Sequence, residues 1–514
     1  MRRRKSFEFP LLLRCYRPKP TPPSGIPRLA LAGSFARLWP HSASREASQR
    51  GRDFMSQYVE SAEAAQVVEN RSQLIDYFYQ AAKPQEAWRL GTEYEMCGVS
   101  RRSGRAARYF GNRGIERLLF RLADTTGWEP IEEEGHVIAL RGERANITLE
   151  PGAQVELSGE QCETIHCADV ELRTHLTHLL TAADALDLTF VNLGVQPISS
   201  LDDIQWIPKT RYQFMAPYME QVGTLGQRMM KQTSSIQVNF DFSSEADAML
   251  KFRVGMGLVP ILTAIFANSP ISDGSLNNFM TMRGHIWTDT DRRRSGLLPF
   301  AFSDHSSFEG YAEYALSVPM YFIVRRGHWI DMTGIPFHRF LTEGHNGERA
   351  TMEDWTLHLT TLFPEVRIKK YLEIRCIDQQ PYDFMLAVPA LCKGIFYEND
   401  CLWAAWDLVK KWSWEERVEA YLGAHRQALG ARVQGMTLLD FAKELFSIAW
   451  EGLQRHNKCD AKGKNETIYL ERLREELWRG QCPAYGIIEK WMGEWNYDVK
   501  RLIDGTTYQI PAPE

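Results

Sequence analysis

Five glutamates stand at spacings that let them act on one ligand. Glu93 and Glu95 are two residues apart in Leu90-Gly-Thr-Glu-Tyr-Glu95. In an extended chain, side chains at i and i+2 share a face roughly 6.5–7 Å apart, so this pair can bracket one cation or hold two neighbouring ones. Glu150 and Glu156 flank Pro151-Gly152, a turn signal that folds both toward a common surface. Glu373 adds a fifth acid, two positions before Arg375. Carboxylates gathered this closely repel one another unless something compensates them. A hard divalent cation is the natural remedy: Mg²⁺ takes oxygen ligands at about 2.0–2.1 Å and shares them with water and nucleotide phosphates. The plainer alternative is five separate surface glutamates, each paired with its own base.

Groups suited to anions accompany the acids. Arg375 shares a strand face with Glu373, Arg283 lies in Met282-Arg-Gly-His-Ile-Trp-Thr-Asp-Thr-Asp291, and Lys209 and Arg211 lie in Ile207-Pro-Lys-Thr-Arg-Tyr212. A guanidinium fork matches carboxylate or phosphate. Acids that hold metal beside bases that hold anions describe a Mg-nucleotide phosphoryl-transfer site, where positioning and charge neutralisation do most of the catalysis. The sequence has no Gly-x-x-x-x-Gly-Lys-Ser/Thr loop, no Gly-x-Gly-x-x-Gly opening a helix after a strand, no His-Glu-x-x-His and no Gly-x-Ser-x-Gly. A nucleotide site here needs another architecture.

Period-two alternation supplies one. Trp88, Leu90, Tyr94 and Met96 oppose Arg89, Glu93 and Glu95; Ile147 and Leu149 oppose Thr148 and Glu150; Val155 and Leu157 oppose Gln154, Glu156 and Ser158. In Ser235–Phe242 the apolar even positions oppose Ser235, Gln237, Asn239 and Asp241, and over 367–375 Ile368, Leu372 and Ile374 oppose Arg367, Lys369, Glu373 and Arg375. Such strands bury one face and leave the other polar. Helical periodicity starts at Ser72, a candidate N-cap followed by Leu74, Ile75, Phe78 and Tyr79, and it dominates Leu402–Trp412, Trp414–Leu429 and Thr437–Leu453. The expected fold class is α+β, a mainly antiparallel sheet packed on helices with its polar face open as a basin. The expected organisation is a basic leader over 1–54, an α+β core over 55–400 and a mainly helical region over 401–514.

Composition narrows the function classes. The chain carries 514 residues and a net charge of −5, but residues 1–54 hold twelve Lys or Arg against three Asp or Glu, a net of +9 that leaves −14 on the remainder. An acidic body argues against a nucleic-acid partner. The Arg-, Pro- and Ser-rich leader reads as disordered, either an organellar transit peptide or a start placed upstream of a true one at Met55. The apolar run Val254–Ala267 contains Pro260 and is shorter than the roughly 20 residues a bilayer needs, so it reads as a buried helix rather than a membrane anchor. Nine cysteines with no Cys-x-x-Cys pair suggest a reducing compartment. Cys162, His166 and Cys167, with His175 and His178, are the nearest approach to a zinc cluster, outweighed by an ordinary amphipathic helix.

Longer motifs then resemble a known family. Leu90-Gly-Thr-Glu-Tyr-Glu95, Leu149-Glu-Pro-Gly-Ala-Gln-Val-Glu-Leu-Ser-Gly159, Gln237-Val-Asn-Phe-Asp-Phe-Ser-Ser-Glu-Ala-Asp247, Phe266-Ala-Asn-Ser-Pro270, His285-Ile-Trp-Thr-Asp-Thr-Asp291, Phe363-Pro-Glu-Val-Arg367 and Tyr371-Leu-Glu-Ile-Arg375 occur in the order seen in glutamate–cysteine ligases of the plant and proteobacterial type. The resemblance implies a curved, glutamine synthetase-like antiparallel sheet. It implies ATP-dependent joining of L-glutamate to L-cysteine through γ-glutamyl phosphate, the first step of glutathione synthesis. It places the family's Mg²⁺-binding acids on Glu93, Glu95, Glu150, Glu156 and Glu373. Arg283 and Arg375 are the expected catalytic residues, on substrate carboxylate or phosphate. Arg211, Gln237, Asn239, Trp287 and Thr288 complete the expected substrate-binding set. The implied partners are small molecules (L-glutamate, L-cysteine and ATP) and neither nucleic acid nor membrane, in a cytoplasmic monomer or homodimer, organellar if the leader is an address. A relative that uses another amine, or binds without turnover, is the alternative.

Two departures stand out. Where relatives place a lysine after the acid pair, this chain has Met96, which puts a role for that lysine in doubt. Asp169, Met332 and Leu386 occupy positions where plant members carry regulatory cysteines, so no such thiol switch is expected and the cysteines should be mostly buried thiols.

Overall fold

A computed structural model describes residues 66–511. The expected leader and the alternative start at Met55 lie outside the described residues. Nine strands form the main sheet: β1 (Leu90–Ser100), β2 (Glu129–Glu133), β3 (His136–Arg141), β4 (Asn146–Leu149), β5 (Val155–Ser158), β6 (Leu188–Val191), β7 (Ser235–Phe240), β8 (Val366–Ile368) and β9 (Leu372–Asp378). Their order is β8-β9-β7-β1-β5-β4-β3-β2, with β6 added along the far half of β1. Every neighbouring pair in this sheet is antiparallel. The expected α+β class with a mainly antiparallel sheet is what the chain adopts.

Alternation decides which side chains leave solvent. Leu90, Tyr94, Met96, Ile147, Leu149, Val155, Leu157, Ile236, Val238, Leu372 and Ile374 are all buried. They meet helices that include Ile165–Asp184, Glu245–Ile265 and Ala387–Phe396. The run with Pro260 lies in Glu245–Ile265, apolar on nearly every side and buried inside the protein as expected. Met96 belongs to this apolar layer, on the opposite face from Glu95. The C-terminal helices Asn399–Val409, Trp414–Gln427 and Leu438–His456 follow the periodicity read from sequence, and one contiguous core runs from Val68 to Tyr508.

Three local expectations are corrected. The stretch 367–375 is a hairpin rather than one strand. The chain reverses over Lys369–Tyr371, where the Lys369 N–H donates to the Tyr371 carbonyl at 2.8 Å, and Arg367 becomes the cross-strand partner of Glu373. Ser72 is the first residue of the helix Ser72–Tyr79; the N-cap position is Arg71, with no side-chain cap. Finally, Cys162 and Cys167 form a disulfide at the start of the helix Ile165–Asp184, where the Thr164 hydroxyl accepts the Cys167 N–H. The zinc grouping dissolves with it: Glu160, not a histidine, approaches the two sulfurs, and His166 bonds the Tyr469 hydroxyl at 2.9 Å. Among the described thiols, Cys97, Cys376, Cys392, Cys401 and Cys482 are buried and Cys459 is exposed.

Helices Ala387–Phe396 and Leu438–His456 cross on glycine. A Cβ at Gly452 would run into the Gly394 carbonyl, and one at Gly394 into the Ala449 carbonyl. Backbone cannot yield as a flexible side chain can, so Gly452→Val should lower stability by about 1–3 kcal/mol. Gly486 has open space around its Cβ direction, and Gly486→Ala should leave the melting temperature unchanged or raise it. Calorimetry on both variants checks this; equal melting temperatures would contradict the close-crossing account.

Candidate functional site

The polar face of the sheet is built by register. Glu95 stands opposite Glu156 across β1 and β5, Glu93 lies between Ser158 and Gln237, and Glu373 lies between Arg367 and Asn239. Glu150 follows β4 at the turn into β5, its carbonyl accepting the Ala153 N–H at 2.8 Å. The five glutamates are therefore brought to one face by three separate strands, β1, β5 and β9, and a turn.

Neighbouring side chains fix the acids in place. The Ser235 hydroxyl and the Gln237 amide each donate to Glu95 at 2.8 Å. Thr148 and Ser158 hydroxyls donate to Glu156 at 3.1 and 2.8 Å, and the Asn239 amide donates to Glu93 at 3.0 Å. The Arg375 guanidinium donates to the other end of Gln237, so an arginine is relayed to Glu95 through one amide. Gln237 and Asn239 thus touch the acids directly. Thr148, Ser158 and Ser235 went unassigned in the sequence reading although they sit on the same alternating faces; only the cross-strand register shows which acid each one serves.

Electrostatics separates Glu373 from the other four. Burial pushes the Glu93, Glu95 and Glu156 carboxyls up to about 7, with neighbouring acids adding to the shift: Glu373 and Glu156 on Glu93, Glu156 on Glu95, and Glu150 on Glu156. Glu150 is raised by burial and then by Glu95. Burial opposes ionisation of Glu373 too, but Arg367, Lys369 and Arg375 outweigh it and hold that carboxyl well below the usual range. Arg367 meets Glu373 as a fork, Nε to Oε2 at 2.5 Å and Nη2 to Oε1 at 3.0 Å. Four carboxyls without a direct ion pair, rich in hard oxygen donors and raised despite the cations around them, fit a divalent cation.

The expected anion-binding groups line the same region. Arg283, buried in the helix Met282–Trp287, donates to the Arg375 carbonyl at 2.7 Å, and its Nε has no acceptor among the described residues. The Trp287 indole N–H is likewise buried and without an acceptor. Unsatisfied buried donors are costly unless a ligand completes them. Arg211 and Lys209 act on Glu150 at the other end of the basin; Lys209 donates to the Leu149 carbonyl at 2.8 Å, and the Arg211 Nε has no acceptor among the described residues. Thr288 differs from the rest, because its hydroxyl is taken by the His285 carbonyl at 2.7 Å.

The family model for "glutamate-cysteine ligase family 2" matches residues 89–504. The chain belongs to this family. It is 40% identical over 441 residues to the chloroplastic glutamate–cysteine ligase of Medicago truncatula, covering 85% of each chain. The chloroplastic glutamate–cysteine ligase of Arabidopsis thaliana is 39% identical over 474 residues, 91% of this chain and 89% of that one. A glutamate–cysteine ligase from Francisella tularensis, solved in complex with AMP, superposes with a TM-score of 0.48 at 15% identity, over 83% of this chain and 90% of that one. The glutamate–cysteine ligase family match spans the whole sheet, both arginine walls and the C-terminal helices.

The raised carboxyls dictate a pH response. Folded values near 7, against an ordinary 4.5, mean that the fold holds these protons more tightly than the unfolded chain does. Their contribution to stability is full below about 4.5 and is lost as pH rises through about 7. Chelator-treated protein should melt several degrees lower at pH 8 than at pH 5, and millimolar Mg²⁺ should restore the loss at pH 8 while adding little at pH 5. Thermal unfolding under the four conditions checks this; a Mg²⁺ effect independent of pH would contradict it.

Proposed function

We propose that this chain is an ATP-dependent ligase that joins the γ-carboxyl of L-glutamate to the amine of L-cysteine, the first step of glutathione synthesis. The observation that carries the reading is the one sheet face on which the half-buried Glu93, Glu95 and Glu150 and the buried Glu156 lie beside the buried Arg283 and Arg375. A basin of that polarity suits two anionic substrates delivered with a cation.

Glu93, Glu95, Glu150 and Glu156, with Glu373 at the edge, would hold Mg²⁺, which when bound neutralises nucleotide phosphates. Everything else falls to the chain's own groups. Arg283 and Arg375 orient the glutamate carboxylates and stabilise charge that develops on the phosphoryl group, their positions set by the bond between them and by Gln237. Trp287 and Asn239 each present a polar atom without a partner among the described residues, the indole N–H and Oδ1, as fixed contacts for bound substrate. Arg211 serves the opposite end. In the first step a γ-carboxylate oxygen bonds to the terminal phosphorus while the bond to the β–γ bridging oxygen breaks and ADP leaves. In the second, the neutral cysteine amine bonds through nitrogen to the activated carbonyl carbon, and phosphate departs with the electron pair of the broken C–O bond and, in the net balance, the proton that the nitrogen loses.

The relatives named chloroplastic support the organellar option over the cytoplasmic one, and the Arg-, Pro- and Ser-rich composition of residues 1–54 fits such an address.

Purified protein with glutamate, cysteine and Mg-ATP should yield γ-glutamylcysteine by mass detection together with ADP. Glu93→Gln and Glu156→Gln should each lower turnover at least about 100-fold, the scale on which loss of one charge-stabilising group acts, with unchanged circular dichroism. Near-normal turnover in both variants, or product only with a different amine, would overturn the assignment.

A further inference from the structure

Three cations, Arg367, Lys369 and Arg375, gather around Glu373. Arg367 alone occupies both Glu373 oxygens and spends its remaining nitrogen on the Thr360 and Leu362 carbonyls, each at 2.9 Å. Arg375 stands 3.3 Å from the same carboxylate. Lys369 is a third cation, its Nζ 3.9 Å from Glu373 Oε1 and beyond hydrogen-bonding distance. Arg375 is also relayed to Glu95 through Gln237, which leaves Lys369 as the cation of the three with no hydrogen-bonded acid.

The hairpin turn shows that Lys369 is held there. Lys370, next in the turn, is exposed and reaches outward over the Tyr77 ring. Lys369 turns inward, its side chain only 14% exposed and seated 4.8 Å from the Tyr371 ring, with no hydrogen-bond acceptor for Nζ among the described residues. A lysine left to itself extends its ammonium into water. This one directs three donors at the space beside the acids that would hold the cation.

We propose that Lys369 is a further catalytic residue, its ammonium binding the terminal phosphate of the nucleotide. This inference rests on the ligase reading above. As the γ-carboxylate oxygen bonds to the terminal phosphorus and ADP leaves with the electron pair of the broken P–O bond, no proton moves. The ammonium offsets negative charge on the phosphoryl oxygens throughout, as a point charge free to follow them.

The test compares Lys369→Met and Lys369→Arg with the wild-type chain. In Lys369→Met, kcat/KM for ATP should fall at least about 100-fold, and the affinity for a non-hydrolysable ATP analogue, titrated calorimetrically with Mg²⁺, should fall about tenfold. ADP, which lacks the terminal phosphate, should bind within twofold of wild type, and Lys369→Arg should recover most of the lost affinity. A merely structural lysine would weaken both nucleotides equally, and that result, or an unchanged affinity for the analogue, overturns the proposal. The binding comparison needs no turnover, so it decides the role of Lys369 even if the wild-type chain makes no γ-glutamylcysteine and the ligase reading itself fails.

Discussion

Like charges forced together on one face of a sheet are the constraint around which this molecule is arranged. Glu93, Glu95, Glu150 and Glu156 are held near one another because the alternate residues of the same strands are locked into an apolar core. Turning any of these acids away would expose Leu90, Tyr94, Ile147, Leu149, Val155 or Leu157 in exchange. With a period of two, a strand cannot move one face without moving the other. The hydrophobic effect therefore does the work of confining the charges.

The same sheet separates two electrostatic environments a few strands apart. At one end the acids are braced only by neutral donors, Ser235, Gln237, Thr148, Ser158 and Asn239, which fix geometry without removing charge. At the other end Glu373 is neutralised outright by Arg367. Acids without a direct ion pair and a cluster of cations then lie side by side. Binding energy is thus directed at the reacting groups, and little reorganisation is needed when charge shifts during transfer.

Much of this was legible because it is local. Alternation of Tyr94 with Glu93 and Glu95, or of Ile236 and Val238 with Gln237 and Asn239, requires no knowledge of partners, and the apolar spacing in Trp414–Gln427 and Leu438–His456 marks those helices directly. What the sequence concealed depends on non-local geometry. The turn over Lys369–Tyr371 contains neither Gly nor Pro, so nothing announced that Arg367 and Glu373 face each other across a hairpin. The Cys162–Cys167 bond carried no spacing signal, since five residues apart on a strand and five apart around a helix start place sulfurs differently. Met96, the departure from the family motif that puts a role for the usual lysine in doubt, lies on the far side of the sheet from the acids.

The central claim is that Glu93, Glu95, Glu150 and Glu156, from β1, β5 and the turn into β5, share cations on one face of the sheet. Anomalous diffraction from crystals soaked in Mn²⁺, with a nucleotide analogue present, tests it most directly. The account predicts anomalous peaks within coordination distance of Glu93, Glu95, Glu150 and Glu156. Peaks confined to surface carboxylates, with these four side chains bound only to water, would contradict it.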